Sequence, residues 1–422
     1  MKNDVRGYSN YQTGVLFIFS FLTASTYVFV RALAISLFLA RAGVENLPIA
    51  FTVSAFVVIG VSLVTRQAVR HLSTFLTTSV TWVLLAGLTI AIGLTLGPMH
   101  HSLVALSTLY MLAELRGCLN TIFVVTLSND LFENTNSKQP YAIVASGAPV
   151  AGILVGTILG LEATIVSLMP AVFIIVVLDG LTVLSVWLLK PANNTITLNA
   201  TIPKNQNAKA EDQSLGQNQQ PQKSFKFNLA ALVSFQITVL TLVGYQWKVA
   251  AGNYFGSNEA QLLAYFAIFY AISDTVIVLL QWLVSGRLMD RLGIGIGLIG
   301  FPFVIFFVGL IAFLFESPLA LLVVFTLGKG MNVLRRALHD PGLTIVYSVI
   351  DPLVRPGTIV FVKGVVKPFA EAVSACLLLL IGGAFFEFWI TALWCLLVIP
   401  WLYFAIRVTI LFRKKRRAGD SQ

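Results

Sequence analysis

The segment KPANNTITLNATIPKNQNAKAEDQSLGQNQQPQKSFK, residues 190–226, divides the chain into two long apolar regions. It is rich in Asn, Gln, Lys and Pro and poor in large apolar residues, which is typical of a flexible tether. We therefore predict a linker between two halves. The predicted units are a first half (1–189), the cytoplasmic linker (190–226), a second half (227–412) and a basic cytoplasmic tail (413–422).

The composition of the whole chain indicates a membrane protein. Its 422 residues are 57% hydrophobic and 11% charged, whereas soluble domains carry about a quarter charged residues. One soluble core cannot hide this much apolar surface, so we predict that the lipid bilayer surrounds the chain. The net charge of +10 does not predict nucleic-acid binding, because the basic residues do not cluster on one soluble face.

The sequence gives no sign of a cofactor or of enzyme chemistry. Cys118, Cys376 and Cys395 lie in apolar runs without CxxC spacing, which predicts neither a disulfide framework nor a zinc site. The chain also lacks a P-loop, an HExxH motif and a GxSxG elbow, each of which would mark a known type of active site. We expect no cofactor, no metal and no enzymatic activity.

Apolar runs long enough to cross a bilayer recur along both halves. A transmembrane helix needs about 20 apolar residues, and the sequence contains twelve such runs. We therefore predict an all-α polytopic membrane protein with twelve transmembrane helices in two six-helix halves. The predicted spans are 14–38, 47–64, 75–97, 102–127, 141–161, 165–189, 228–248, 260–284, 294–315, 318–336, 358–383 and 388–411.

The positions of lysine and arginine predict that both termini are cytoplasmic. With Lys2 and Arg6 inside, the inner connections and the tail RKKRR (413–417) are basic. The outer connections GPMHHS, LEAT, FESP and FFEF contain no Lys or Arg. We expect a multi-pass protein of the cell membrane, which in a bacterium is the inner membrane.

Two six-helix halves joined by a cytoplasmic linker are typical of duplicated transporters. The connection SGRLMDRLG (285–293) matches the Gly-x-Leu-x-Asp-Arg-x-Gly pattern of the major facilitator superfamily, and TRQAVRHL (65–72) is a degenerate basic version in the first half. An Asp–Arg pair at a helix end can form in one state of a transport cycle and break in the other. We therefore predict a gate of Gly286, Asp290 and Arg291; the alternative is a solvated loop that obeys the positive-inside rule.

Charged residues within the predicted spans indicate a polar interior. Each costs about 2.5–3.5 kcal/mol near the bilayer centre, so it must face water, pair with another charge or lie near an interface. Six of the ten are positive, and a cationic lining favours an anionic cargo. The ten are Arg31, Glu114, Arg116, Asp179, Lys248, Asp274, Lys329, Lys363, Lys367 and Glu371.

Helical spacing groups several of these residues on shared faces. The predicted faces are Lys363, Lys367 and Glu371 in span eleven, Lys329, Asn332 and Arg336 in span ten, and Arg116 and Asn120 in span four. Two alternatives remain open: Arg31, Lys248 and Lys329 could extend to the lipid headgroups, and Lys367 could pair with Glu371. In span five, a stripe of small residues predicts close approach of another helix. The stripe is Ala148, Gly152, Gly156 and Gly160.

Several stretches resemble the ATP/ADP translocase family, the nucleotide transport proteins of plastids and intracellular bacteria. The similarity covers most of the chain except the linker and implies twelve helices, a central cavity and exchange of nucleotides or phosphate. The matching stretches are RALAISLFLARAGVENLPIAF (31–51), ELRGCLN (114–120), SNDLF (128–132), YQWKVAAGNYFGSNEAQLLAYFAIFYA (245–271), RRALHDPG (335–342) and VKGVVKPF (362–369).

The chain departs from this family at charged positions. The resemblance implies Lys-Asp where the chain has Ala34-Ile35, Glu at Gly244, Asp at Lys363 and Lys at Glu371. These departures rewrite the charge map of the cavity and favour a divergent relative with a different cargo, or with none, over a strict ATP/ADP exchanger.

We therefore predict a monomeric secondary transporter that moves a small anionic metabolite by alternating access, with exchange, proton symport and uniport all open. The alternative is a transporter-shaped protein with a lipid-handling or regulatory role. We predict Asp130 and Asp274 as possible coupling residues. The predicted substrate-binding residues are Arg31, Glu114, Arg116, Asn120, Trp247, Lys248, Lys329, Asn332, Lys363, Lys367 and Glu371.

Overall fold

The computed structural model describes residues 2–97, 102–132, 139–162, 168–189, 219–280, 294–347, 350, 358, 361–381 and 387–420. Within these ranges every regular element is a helix, so the prediction of an all-α protein is confirmed. The helices are α1 (Lys2–Ala42), α2 (Leu47–His71), α3 (Thr74–Leu96), α4 (Leu103–Phe132), α5 (Gln139–Leu161), α6 (Leu168–Leu189), α7 (Gln219–Phe255), α8 (Glu259–Leu280), α9 (Ile294–Ala312), α10 (Pro318–Gly330), α11 (Lys367–Ile381) and α12 (Glu387–Asp420).

Each of the twelve predicted spans contains one of these helices. In the described part of the chain, nine helices have the length and apolar composition needed to cross a bilayer, namely α1 to α8 and α12. The apolar stretches Gly297–Ala312 and Pro318–Leu334 are shorter. Twelve crossings, and the cytoplasmic position of both termini, stay predictions.

Local chemistry explains where several helices begin and end. The Ser73 and Ser317 side chains accept hydrogen bonds from the first turns of α3 and α10, where they act as N-caps. Gly43 follows α1 with φ of 81°, a conformation that glycine adopts at little cost. This residue lets the chain turn into the 3₁₀ segment Val44–Asn46 and then into α2.

Two breaks in helix geometry interrupt the predicted charged faces. After α10 the chain continues through Asn332–Leu334, a π-helical turn Arg335–His339 and a helix Asp340–Tyr347. A second π-helical turn, Val362–Val366, precedes α11. A π-turn shifts the register of the side chains that follow it, so four-residue spacing does not place residues on one face across these segments.

The structure changes one predicted boundary. α7 begins at Gln219, inside the predicted linker, and its Phe225 is buried. Pro221 lies in the first turn of α7, where proline costs little because the first N–H groups lack helical partners. The rest of the linker and the predicted gate residues Gly286, Asp290 and Arg291 lie outside the described residues.

The helices within each half contact one another in the same pattern. In the first half α1 contacts α4, α5 and α6, while α3 contacts α6. In the second half α7 contacts α10, α11 and α12, while α9 contacts α12. This repetition agrees with the internal duplication that the sequence predicts. Between the halves, α5 packs on α8 and α2 packs on α11.

The predicted small-residue stripe of α5 is the surface that meets α8 of the other half. A Cβ atom on Gly156 would lie 2.6 Å from the backbone oxygen of Ala267. A Cβ on Gly152 would collide with the Asp274 carboxylate, and one on Gly160 with Ile268. The prediction that these glycines admit a neighbouring helix is confirmed.

We expect Gly156→Ala to destabilise the folded protein by about 1–3 kcal/mol, because the added methyl group overpacks a backbone contact. The matched control is Gly180→Ala on α6, where a Cβ would meet no atom within 4 Å. The control should leave stability unchanged or raise it by up to about 1 kcal/mol through helix propensity. Thermal unfolding of both variants in one detergent tests this close contact of α5 with α8, which we call the seam. Equal melting temperatures of the two variants would contradict the contact.

Candidate substrate-binding site

Charged side chains from α1, α4, α7, α10 and α11 converge between the two halves. The Glu114 carboxylate on α4 interacts electrostatically with Arg31 of α1, Lys248 of α7, Lys329 of α10 and Lys367 of α11. Glu371 lies beside Lys367 and also interacts with Glu114. We call this set the central cluster. Its members are Arg31, Glu114, Lys248, Lys329, Lys367 and Glu371.

Lys248 connects the two halves at the centre of the protein. Its Nζ lies 3.9 Å from Glu114 Oε1 and donates a hydrogen bond to the Tyr110 hydroxyl, both on α4. The ammonium also sits 4.3 Å from the ring centre of Phe51 and 4.7 Å from that of Tyr110, a cation–π arrangement. Lys248 is 2% exposed, so it does not extend to a lipid headgroup.

Arg31 is held by tyrosines rather than by a carboxylate. Its guanidinium donates to the Tyr27 hydroxyl and lies 5.3 Å from the ring centre of Tyr27 and 5.2 Å from that of Tyr270 on α8. Its buried Nε has no acceptor, and the Tyr270 hydroxyl has no partner. In the described part of the chain no carboxylate lies within 4.0 Å of Arg31. Arg31 is half-buried, and its contact with Tyr270 of the other half directs the guanidinium toward the space between the halves rather than toward a lipid headgroup.

Lys329 is the second cation of the central cluster with no carboxylate within 4.0 Å among the described residues. Its ammonium lies 5.6 Å from the ring centre of Trp247. Trp247 is fully buried, its Nε1 donates to the Tyr265 hydroxyl at 2.6 Å, and its ring packs against Phe269. In this structure the buried ring of Trp247 lies beside Lys329 and supports it, and its predicted contact with the cargo stays a prediction.

The central cluster carries an excess of positive charge. Within the described residues it contains four cationic side chains and two carboxylates. Lys367 pairs with Glu371 at 3.9 Å, as one predicted alternative had it. The side chain of Lys367 is 50% exposed, so the cluster opens toward solvent on the α11 side. Such a site attracts anions.

Two predicted residues have partners elsewhere. Arg116 is fully buried, and its two terminal nitrogens each donate to an Asp179 oxygen at 2.7 Å. The guanidinium also donates to Thr89 at 2.8 Å, so it lies between α3, α4 and α6. In this structure the Arg116 side chain is therefore engaged within the first half, apart from the central cluster, and its predicted contact with substrate stays a prediction. The Asn120 carbonyl oxygen accepts a hydrogen bond from Thr23 at 2.7 Å.

The predicted faces of spans ten and eleven are also corrected. The Asn332 amide donates to the backbone oxygen of Lys329 at 3.0 Å, so it caps the end of α10. Arg336, beyond the helix break, pairs with Asp274 at 3.1 Å and does not join Lys329. The Lys363 backbone lies in the π-turn Val362–Val366, which separates its register from that of Lys367.

Three further positions complete the account of the predicted residues. The Asp274 carboxylate lies against Gly152 in the seam between α5 and α8, where it accepts the bond from Arg336. Asp130 belongs to the last turns of α4. The side chains of Asp130 and Lys363 lie outside the described residues.

Sequence reasoning missed one ion pair between the halves. Arg41 at the end of α1 donates from Nε to Glu259 Oε1 at 2.6 Å and from its terminal nitrogen to Oε2 at 2.9 Å. This two-point geometry is the strongest form of arginine–carboxylate pairing. Glu259 begins α8, so the pair, which we call the inter-half latch, ties the first half to the second. Both residues lie just outside the predicted spans, where charges are ordinary.

The arrangement of the helices in two halves is shared with several solved structures. The chain is similar in structure to the nucleoside transporter NupG, with a TM-score of 0.57, 13% identity, and coverage of 96% of this chain and 98% of that chain. It is also similar to the peptide transporter POT in complex with sulfate, with a TM-score of 0.65, 14% identity, and coverage of 96% and 95%.

A bacterial homologue of the iron transporter ferroportin, in its inward-facing state, has a TM-score of 0.60 at 15% identity, with coverage of 96% of this chain and 98% of that chain. At these identities the similarity establishes the fold of a multi-pass membrane protein. No protein-family model and no curated protein sequence matches the chain. The resemblance to ATP/ADP translocases therefore stays a prediction.

We expect Arg116→Met to destabilise the protein by about 3–5 kcal/mol, because it leaves the buried Asp179 charge without a partner. The matched double variant, Arg116→Met with Asp179→Leu, should recover most of this loss. Thermal unfolding of both variants measures the difference. A single variant as stable as the wild type would contradict a structural role for the pair and return Arg116 to the candidate ligand contacts.

Proposed function

We propose that this protein is a secondary transporter that moves a small anionic metabolite across the cell membrane by alternating access. The cargo class is a nucleotide-like compound or another phosphorylated or organic anion. The observation that carries the proposal is the central cluster, where four cationic side chains and two carboxylates of the described residues meet between the halves. A fold shared with transporters supports the same conclusion.

The position of the cations supports an anionic cargo, because Lys248 is buried and Arg31 and Lys329 are half-buried. A charge inside apolar helices is costly unless another charge or polar group compensates it. Arg31 and Lys329 have aromatic rings beside them and no carboxylate within 4.0 Å in the described residues. Because aromatic rings do not neutralise a charge, an anion bound between these two residues supplies the missing compensation.

We propose that the acidic members of the cluster act as counter-ions in the empty state. Glu114 lies 3.9 Å from Lys248, and Glu371 lies 3.9 Å from Lys367. Both distances are longer than a short charge-assisted hydrogen bond, so an arriving anion can displace the carboxylates. Asp274 and Asp130 are our candidates for coupling transport to a proton.

We propose that the inter-half latch closes the outer side in this conformation. The ends of α1 and α7 face outward in the predicted orientation, and a Cβ on Gly252 of α7 would meet Leu39 of α1 at 3.3 Å. The connection with Gly286, Asp290 and Arg291 would then form the cytoplasmic gate. Twelve crossings with both termini inside, and a monomer surrounded by lipid, complete the proposed arrangement.

A thermal-shift screen of the purified protein tests the cargo class. Nucleotides, phosphate, sugar phosphates and organic acids are compared with neutral and cationic compounds. A ligand at 100 times its Kd stabilises the folded state by about 2.7 kcal/mol. We expect a shift with an anion for wild type and a clearly smaller shift for Arg31→Gln or Lys329→Gln. Arg336→Gln is the control, because its side chain pairs outside the cluster. Stabilisation by neutral or cationic compounds alone would refute the proposal.

Cross-linking tests the inter-half latch. We expect the double variant Arg41→Cys with Glu259→Cys to lose transport when a short thiol-reactive cross-linker joins the two positions, and to regain it when a cleavable linker is reduced. Cargo uptake into proteoliposomes is the measurement. Each single cysteine variant, treated in the same way, is the control. Undiminished transport by the cross-linked protein would show that the halves do not separate at this end.

A crevice favours one second candidate, a lipid-handling or regulatory role without a soluble cargo. It encloses about 840 Å³ between α8 and α10, and its lining is apolar apart from a few hydroxyl and amide groups. Ile272 and Leu327 on its walls are exposed. Under this alternative Lys248→Gln and Lys329→Gln would keep full activity, and native mass spectrometry would detect a retained lipid. Loss of anion binding in either variant favours the transporter.

A further inference from the structure

Gly244 occupies a special position in the central cluster. It lies on α7 one turn before Lys248. A Cβ atom built on Gly244 would be 3.0 Å from Lys329 Nζ and 4.0 Å from its Cε, and among the described residues, its own helix backbone aside, it would meet no other atom within 4 Å. A side chain at this position would therefore contact the Lys329 ammonium, which would have to shift slightly to make room.

The charges around Lys329 are unbalanced. Arg31, Lys248 and Arg335 all act on its ammonium, and Glu114 is the carboxylate that opposes them. Glu114 is already shared with Lys248 at 3.9 Å. A carboxylate at position 244 of α7 would lie beside the Lys329 ammonium, and glycine provides none.

We infer that Gly244 sets the charge selectivity of the site: by leaving Lys329 uncompensated, it makes the site prefer an anion with at least two negative charges over one with a single charge. This inference rests on the proposed function and adds the charge of the cargo to it. A doubly charged group compensates both Arg31 and Lys329, whereas a singly charged group leaves one of them without a counter-ion. The expected preference follows from Coulomb attraction in a site of low effective dielectric.

Packing is the competing explanation for a glycine at this position. A glycine that serves only to admit the Lys329 side chain would be sensitive to size and insensitive to charge. Gly244→Gln and Gly244→Glu differ little in volume and differ in charge, so the two variants separate the explanations. Lys329→Gln removes the positive charge of Lys329 itself, on α10, and leaves α7 unchanged.

The experiment uses the whole chain and two tetrahedral probes, sulfate and methyl sulfate, at pH 6, where sulfate keeps two negative charges and methyl sulfate keeps one. Affinities are measured by thermal shift and by calorimetry. We expect wild type and Gly244→Gln to bind sulfate at least tenfold more tightly than methyl sulfate. Gly244→Glu and Lys329→Gln should reduce this ratio to between one and three, mainly by weakening sulfate binding. Lys329→Gln carries the test if Gly244→Glu does not fold.

The outcomes separate the inference from the proposed function. Equal loss of preference in Gly244→Gln and Gly244→Glu would overturn the inference in favour of packing, and so would an unchanged ratio in Lys329→Gln. Wild-type protein that binds both probes equally would overturn the inference while leaving an anion site in place. Wild-type protein that binds neither probe nor any other anion of the thermal-shift screen would overturn the proposed function, and the inference with it.

Discussion

A positive charge held among apolar helices needs compensation, and the way each cation receives it organises this protein. Arg116 is fully compensated, because both oxygens of Asp179 accept its hydrogen bonds. Lys248 shares Glu114 and has two aromatic rings beside it. Arg31 and Lys329 have rings and no carboxylate within 4.0 Å in the described part of the chain. The compensation of positive charge by carboxylates therefore decreases from the interior of the first half toward the space between the halves.

This gradient separates a rigid element from an adaptable one. The Arg116–Asp179 pair fixes α4 against α6, and breaking such a pair costs more than its formation contributes, because one charge remains buried. Glu114 is on the same helix as Arg116, two residues earlier. A helix fixed in this way presents Glu114 to the centre, where it lies 3.9 Å from Lys248. The geometry of the central cluster thus depends on a pair that lies outside it.

The contacts between the halves show a similar division. The seam of Gly152, Gly156 and Gly160 brings α5 against α8 with little side-chain volume between them, which allows sliding and rocking as well as close packing. The inter-half latch, in contrast, is a directional two-point bond. A glycine seam tolerates several relative positions of the halves, whereas the latch selects one of them.

Residue properties explain which features the sequence could predict. The helices follow from apolar runs, and the glycine stripe follows from four-residue spacing, since both signals are local. The partners of Arg116 and Arg336 are not local, because a long side chain can reach either side of its helix. The π-turns at Arg335–His339 and Val362–Val366 shifted two predicted faces. The inter-half latch joins residues 218 positions apart, a pairing that no single-sequence pattern contains.

Aromatic rings beside Arg31 and Lys329 suit an anion carrier better than carboxylates at the same places would. A carboxylate beside Lys329 would stabilise the empty site and compete with every anion that arrived. The ring of Trp247 stabilises the ammonium through its negative face without neutralising it. A site of this kind holds its cations in place without neutralising them, which is the condition for attracting an anion and then releasing it.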